Sequence, residues 1–304
     1  MGKLPVLMIV FNRPETTERV FEAVRQYAPD RLYIAADGPR PDKPDADRCA
    51  AVRSIFSRVD WPCEVQTRFR NVNMGCRKAP PDGIGWFFEN EEEGVILEDD
   101  CLPSQDFFRF CAEMLERYRN DERVMMVAGS CYFDSALNPE DYTFSQFTWT
   151  WGWASTRKAW RHFDLEMPDF PEFKKHGTIR KLLPGHPFMQ WRFLRVFQKC
   201  FEKSVYFYDV WDWMWVYAVM KDRGLCIVPN RNLVSNIGDT GATHVMNTRT
   251  TNRPLQPLPE MLHHPAEIKA DQANDLRLFN LVHRGDWKDA VRFLLHCLTG
   301  KDWM

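Results

Sequence analysis

The sequence predicts an α/β protein with a mostly parallel central sheet flanked by helices. Three observations carry that reading. Short apolar runs suited to buried strands alternate with amphipathic helical stretches from Leu4 to Ala128. The connections between them are polar and marked by Gly, Pro and Asn. One strand, Val95 to Leu97, delivers the consecutive carboxylates Glu98, Asp99 and Asp100, and a helix start follows at Pro103 and Ser104. Strands joined in this way take right-handed crossovers, and ligands bind beyond their carboxyl ends.

Taken in order, Leu4 to Val10 reads as the first strand and Pro14 to Tyr27 as a helix with Val20, Phe21, Val24 and Tyr27 inward. Asn12 and Arg13 occupy the turn between them. Leu32 to Ala36 is a second strand ending in the turn Asp37, Gly38, Pro39. Asp45 to Ser57 is helical, and Cys63 to Phe69 alternates as a third strand. The polar turn from Asn71 to Arg77 precedes a helix through Phe88, and the carboxylate strand comes next. The helix after it aligns Phe107, Cys111, Met114, Leu115 and Tyr118 on one face, and Arg123 to Ala128 is a further strand.

Beyond that point the pattern loosens. Phe147 to Trp153, FTWTWGW, reads as an aromatic strand whose Trp149, Trp151 and Trp153 share a face, suited equally to a core and to a cleft wall. Met167 to Pro187 lacks periodicity and reads as a surface excursion. Tyr208 to Met220 is a helix with Asp209 as its N-cap and Asp212 in the first turn among tryptophans. Apolar surroundings raise such a carboxyl's pKa, whereas the helix dipole lowers it. After a strand at Leu225 to Val228, residues 236 to 252 read as a mobile loop with His244 in its middle. Two helices end the chain. The last, Asp286 to Leu298, carries Trp287, Val291, Leu294, Leu295 and Leu298 on one face, expected to pack on the main body, with a peripheral membrane contact as the second reading.

The 304 residues suit one large domain with an appendage. A net charge of -2 excludes a strongly basic nucleic-acid surface at the level of the whole chain. Nine cysteines without a paired spacing favour reduced thiols and a cytoplasmic setting over a disulfide framework. Leu4 to Val10 is too short for a signal-peptide core, and no run is long enough to span a bilayer. The 12 Trp and 22 Phe suit a packed core and also a cleft that stacks on sugar rings.

The carboxylate triplet carries the chemistry. Two unit charges about 4 Å apart repel by roughly 1 kcal/mol in water and about 4 kcal/mol at an effective dielectric near 20, so the triplet needs a counter-charge. Mg²⁺ and Mn²⁺ are held by one or two carboxylates together with substrate phosphates. An acidic turn neutralised by Lys and Arg is the competing reading. If the backbone stays extended, Glu98 and Asp100 point to one side and Asp99 to the other. Neither GxGxxG nor a GxxxxGK[ST] loop is present. A nucleotide bound here would use Asp37 for base or ribose contacts, and a metal with Arg77 or Lys78 for phosphates.

The segments PVLMIVFNRPETTERVFEAV, IAADGP, VILEDDCLPSQDFF, WTWGWASTRKAW and VWDWMW resemble, in that order, nucleotide-sugar glycosyltransferases of the GT-A fold. The pattern is similar to N-acetylglucosaminyltransferase I within a broader likeness to family-2-type enzymes, and it spans Leu4 to Thr251. The resemblance implies a GT-A (Rossmann-like) domain over residues 1–256, with a nucleotide-binding half at 1–130 and an acceptor half at 131–256, and a helical appendage at 257–304. It implies Mn²⁺ or Mg²⁺ on Asp100, with Glu98 and Asp99 near ribose and donor sugar, and nucleoside contacts from Asp37 with Asn12 and Arg13. Asp212 matches the catalytic base, although WDW stands where the family pattern has WDDW, so Asp209 remains the alternative. His244, in THV, is the counterpart of a closing-loop histidine and a second candidate metal ligand. Trp149, Trp151 and Trp153 are the expected acceptor side. The implied activity is inverting transfer from a nucleotide-diphosphate sugar, UDP-sugar favoured, to a glycan, glycolipid or glycoprotein, as in polysaccharide biosynthesis at the inner face of the membrane. A sugar-nucleotide nucleotidylyltransferase would want a glycine-rich first turn. The remaining alternative is a non-catalytic glycan-binding or scaffold protein on the same fold.

Overall fold

The computed structural model describes residues 2–134, 139–203, 210–238, 250–285 and 287–300. Its strands are β1 (Val6–Val10), β2 (Arg31–Ala36), β3 (Glu64–Phe69), β4 (Glu93–Glu98), β5 (Cys101–Pro103), β6 (Val124–Ala128), β7 (Tyr142–Ser145), β8 (Trp153–Thr156), β9 (Leu225–Pro229) and β10 (Val234–Asn236). Eight of them form one sheet in the order β3-β2-β1-β4-β8-β6-β9-β7. β1 to β4 pair in parallel and β6 pairs in parallel with β9, whereas β8 and β7 run antiparallel to their neighbours. The sheet is therefore the mostly parallel, helix-flanked one that the sequence predicts.

The helices are α1 (Pro14–Tyr27), α2 (Ala46–Ile55), α3 (Gly75–Asn90), α4 (Gln105–Arg117), α5 (Arg157–Trp160), α6 (Phe170–Lys175), α7 (Thr178–Leu182), α8 (Pro187–Phe201), α9 (Asp212–Lys221), α10 (Gln272–Leu278) and α11 (Trp287–Thr299). α1 begins at a proline, whose missing N–H costs nothing at a helix start, and ends on left-handed Ala28. α4 starts where Ser104 accepts from the Phe107 N–H. β1 is buried on both sides and feeds two cores. Leu7 and Ile9 join α3, α8 and α9 on one face, while Val6, Met8 and Val10 join α1 and α4 on the other.

Four expectations are corrected. Cys101–Pro103 is a short strand that pairs antiparallel with Val234–Asn236, a ribbon too short to carry a period. Residues 167–187 are no surface excursion: Met167, Phe170, Phe173, Ile179, Leu182 and Leu183 are buried, presented by two short helices that break at left-handed Gly177. The FTWTWGW stretch is not one strand, because the chain turns at Gly152 (φ 67°) and β8 begins only at Trp153. The apolar stripe of α11 points outward rather than onto the main body, with Trp287 72 % and Leu298 82 % exposed. No helix among the described residues is long and apolar enough to cross a membrane. All nine cysteines are free thiols.

The C-terminal segment is tied to the sheet through a buried acid. Asp271 caps α10 and donates its backbone N–H to the Phe144 carbonyl, and Asp275 accepts from Ser145 Oγ (2.5 Å) and the Gln146 N–H (3.2 Å). Burial pushes the Asp275 carboxyl up to about 7, with those two donors opposing it. The folded chain thus holds this proton more tightly than the unfolded chain does. Asp275 contributes stability that is complete below its ordinary value of 3.8 and is lost as pH rises through about 7. Asp275→Asn is expected to remove that loss. Relative to wild type, its thermal midpoint should improve between about pH 4 and about pH 8; a difference that does not move with pH would show the carboxyl to titrate normally.

Candidate functional site

β1 and β4 are neighbours in register, Ile9 opposite Glu98, so their carboxyl ends lie side by side. The backbone leaves the strand conformation after Glu98 and turns at Asp99 and Asp100. The alternation expected of an extended triplet is therefore lost, and both aspartates reach one partner. Arg13, at the entrance to α1, donates from Nη2 to Asp99 Oδ1 and from Nη1 to Asp100 Oδ2 (2.8 Å). Asp99 Oδ2 also accepts the Phe11 N–H (3.1 Å). From the opposite side the Ile237 N–H donates to the Asp100 carbonyl (2.8 Å). Gly238 packs so tightly there that a Cβ would stand 2.3 Å from Asp100 Oδ2.

The charges do not balance. Burial works against the Arg13 cation, but Asp99 and Asp100 outweigh it and raise its pKa above the ordinary arginine range. Burial pushes Glu98 upward, reinforced by Asp100, Asp99 and more weakly Asp212, with Arg13 opposing. Burial likewise raises Asp99 against the pull of Arg13. Three carboxylates, Glu98, Asp99 and Asp100, thus share one guanidinium.

The remaining predicted residues separate into groups. Asp37 is committed to its own turn: Oδ1 accepts the N–H groups of Gly38 and Met74, and Oδ2 accepts Asn73 Nδ2 and the N–H of Gly75 at the start of α3. Asn12 donates to Asp45 Oδ1 (2.7 Å), which also pairs with Arg40. The Arg40 hydrogen bonds hold the Asp45 carboxyl down at about 2. Arg40 in turn lies over the Phe11 ring, 5.5 Å from its centroid. Arg77 is buried and reaches the Leu165 carbonyl (3.0 Å) and Glu166, tying α3 to the loop before α6. Lys78 is exposed. Asp209 and His244 lie outside the described residues, and the N-cap expected at Asp209 is corrected: α9 starts at Asp212 with Trp211 in the N-cap position.

A cavity of about 200 Å³ opens at the start of α9. Asp212 stands in its wall with Trp149, Trp151, Trp213, Tyr132 and Thr148. As the first residue of α9, Asp212 accepts the Trp213 N–H on Oδ1 (2.9 Å). Trp153 belongs elsewhere: it is fully buried against Trp160, Trp211 and Trp215 and offers no face to a ligand. Sequence reasoning missed Tyr132, Thr148, Trp213 and Gly238 here, and the Phe11, Arg40, Asp45 group near Asn12. Trp213 alone carried a signal, being adjacent to Asp212 in VWDWMW.

Among the described residues no three His, Cys, Asp or Glu side chains converge into a preformed metal cage. The donor set nevertheless suits a hard divalent cation. It is all carboxylate oxygen, it carries more negative charge than Arg13 offsets, and such ions complete their shell with water and phosphate oxygens rather than with protein.

No protein-family model matches the chain, and no curated protein matches it. Among solved structures, the mannosyltransferase PcManGT from Pyrobaculum calidifontis, in complex with GDP-Man and Mn²⁺, is similar at 13% identity. That alignment covers 72% of this chain and 70% of that one, with a TM-score of 0.41. A 4-diphosphocytidyl-2C-methyl-D-erythritol synthase from Anaerococcus prevotii is 12% identical over 58% of this chain and 85% of that one, with a TM-score of 0.36. HddC from Yersinia pseudotuberculosis, complexed with GMP-PN, is 10% identical over 51% and 77%, with a TM-score of 0.33. At these levels the functional reading rests on the geometry of the site itself.

Removing Arg13 tests the central pairing. Asp99 has a side chain only 3% exposed, so Arg13→Met leaves a buried charge without its counter-ion. A loss of about 3–5 kcal/mol is expected in urea unfolding, with part of it recovered in the Arg13→Met, Asp99→Asn double variant. Equal stability of Arg13→Met and wild type would show the pair to be a surface-like contact.

Proposed function

We propose that the chain is a metal-dependent, inverting glycosyltransferase that moves a sugar from a nucleotide-diphosphate donor, UDP-sugar favoured, to a hydroxyl of a glycan, glycolipid or glycoprotein. The observation that carries the reading is Asp212 in the wall of an aromatic cavity and within electrostatic reach of the Glu98, Asp99, Asp100 turn. A proton acceptor in an aromatic cavity thereby stands close enough to a cation-seeking carboxylate cluster for Glu98 to feel its charge. The turn after β1 argues against nucleotidyl transfer, since it puts the Arg13 side chain against the carboxylates where a glycine-rich loop would leave the backbone open to phosphates.

Asp100, assisted by Glu98, would hold Mn²⁺ or Mg²⁺ together with the donor diphosphate. When bound, that ion neutralises charge accumulating on the departing nucleotide. Arg13 pairs with Asp99 and Asp100 and fixes their direction. Trp149 and Trp151 offer flat apolar faces to a sugar ring, and Asp212, oriented by the Trp213 N–H, takes the proton from the attacking hydroxyl. Asp37 acts on the nucleoside indirectly, by holding the turn that begins α3.

Two measurements test this. Calorimetric titration with UDP, GDP, CMP and dTDP should show one nucleotide binding in a Mn²⁺-dependent manner, and Asp100→Ala should abolish it; a folded wild-type protein that binds none of them is no nucleotide-sugar enzyme. With the donor identified, Asp212→Asn should retain nucleotide affinity and lower kcat for transfer by about 10²–10⁴-fold. Transfer at the wild-type rate would remove Asp212 from the role of base.

A further inference from the structure

α11 is docked by its more polar side. Phe293 packs on Phe188 and Trp191 of α8 with ring centroids 5.2 and 5.7 Å apart, His296 faces Trp191, and buried Asp289 takes Arg292 (3.2 Å) and Arg192 (3.6 Å). The opposite side holds Trp287, Val291, Leu294, Leu295 and Leu298, exposed by 72, 44, 60, 36 and 82 %. Single exposed apolar residues are ordinary, but five on one helix face form a contiguous patch that marks an interaction surface.

The charge beside that patch names its partner. Between Arg284 and Asp302 the sequence has four basic residues, Arg284, Lys288, Arg292 and Lys301, against Asp286, Asp289 and Asp302. Lys288 and Arg292, four residues apart, flank the apolar stripe on one side. On α8, Lys199 feels Arg195, Arg292 and Arg192 as like charges after the effect of its own burial. Asp289 is turned inward onto Arg192 and Arg292, and Glu202, at the end of α8, accepts from Gln198. In a chain of net charge -2 this is a local concentration of positive charge. A second copy docking through the same stripe would set these cations against their own equivalents, since a two-fold interface is self-complementary.

We propose that α11 is a membrane-surface anchor, its Trp287 to Leu298 stripe bedded in the headgroup boundary of an anionic bilayer and the exposed Lys288 beside it facing lipid phosphates. Tryptophan and leucine on the apolar face with lysine and arginine beside them are the composition of such interfacial helices. The anchor starts five residues after Val282, which lines the Asp212 cavity, so the cavity is tethered close to the lipid surface. The anchoring itself is independent of any catalytic role for that cavity.

The test is flotation of the full chain with vesicles of phosphatidylcholine alone and of phosphatidylcholine mixed with phosphatidylglycerol. The chain should float with the anionic vesicles, less so as salt is raised. Leu294→Glu with Leu298→Glu should cut the partition coefficient by roughly a hundredfold or more, and Lys288→Gln should cut it by roughly fivefold, both with an unchanged thermal midpoint. Failure to float with the anionic vesicles, or equal flotation with both kinds, overturns the proposal. So does a concentration-dependent dimer in light scattering that the double leucine variant dissolves.

Discussion

The pairing of Arg13 with Asp99 and Asp100 is the constraint on which the surrounding structure depends. It joins the end of β1 to the end of β4, fixes the entrance of α1, and gives Ile237 and Gly238 a surface to close against. Thr17 repeats the connection from within the helix, donating both its N–H and its hydroxyl to the Arg13 carbonyl. Such a pairing is a poor device for stability alone. Desolvating the ions roughly cancels their attraction, so apolar residues in these positions would serve the fold as well or better. Its persistence beside two further carboxylates, Glu98 and Asp212, makes sense where the excess negative charge has a use.

The first half of the fold was legible because three of its strands are buried on both faces and its helices on one. β1, β2 and β4 read as apolar runs and the exposed edge strand β3 by its alternation, and the predicted bounds of α1 coincide with the observed Pro14–Tyr27, since proline and the left-handed Ala28 mark its ends. The β5 and β10 ribbon was not legible. Three residues against three carry no period, and the pairing is set by a contact between segments 130 residues apart. The buried region at 167–187 escaped for a related reason: its apolar residues sit on two short helices whose phases are interrupted at Gly177.

At the site, the carboxylate turn and Asp212 were visible as residue types in telling positions, but the direction of each side chain was not. An aspartate after a strand can face a ligand or cap its own loop, and Asp37 caps. An arginine in the first turn can meet a phosphate or neutralise a neighbour, and Arg13 neutralises. The tryptophans divide by the same logic. Gly152 changes the direction of the chain, so Trp153 joins the core while Trp149 and Trp151 line the cavity.

Helix α11 shows why amphipathicity alone cannot assign a partner. A stripe of five apolar residues ordinarily packs on the body of its own protein, because burial removes apolar surface from water. Here the contact with α8 is made instead by Phe293, His296 and Asp289, the last held by Arg192 and Arg292. Turning the helix over would bury the stripe only by pulling Asp289 from Arg192 and Phe293 from Phe188 and Trp191. The docked side is therefore specified by an aromatic and ionic contact of its own, and the exposure of the stripe is part of the packing rather than a failure of it.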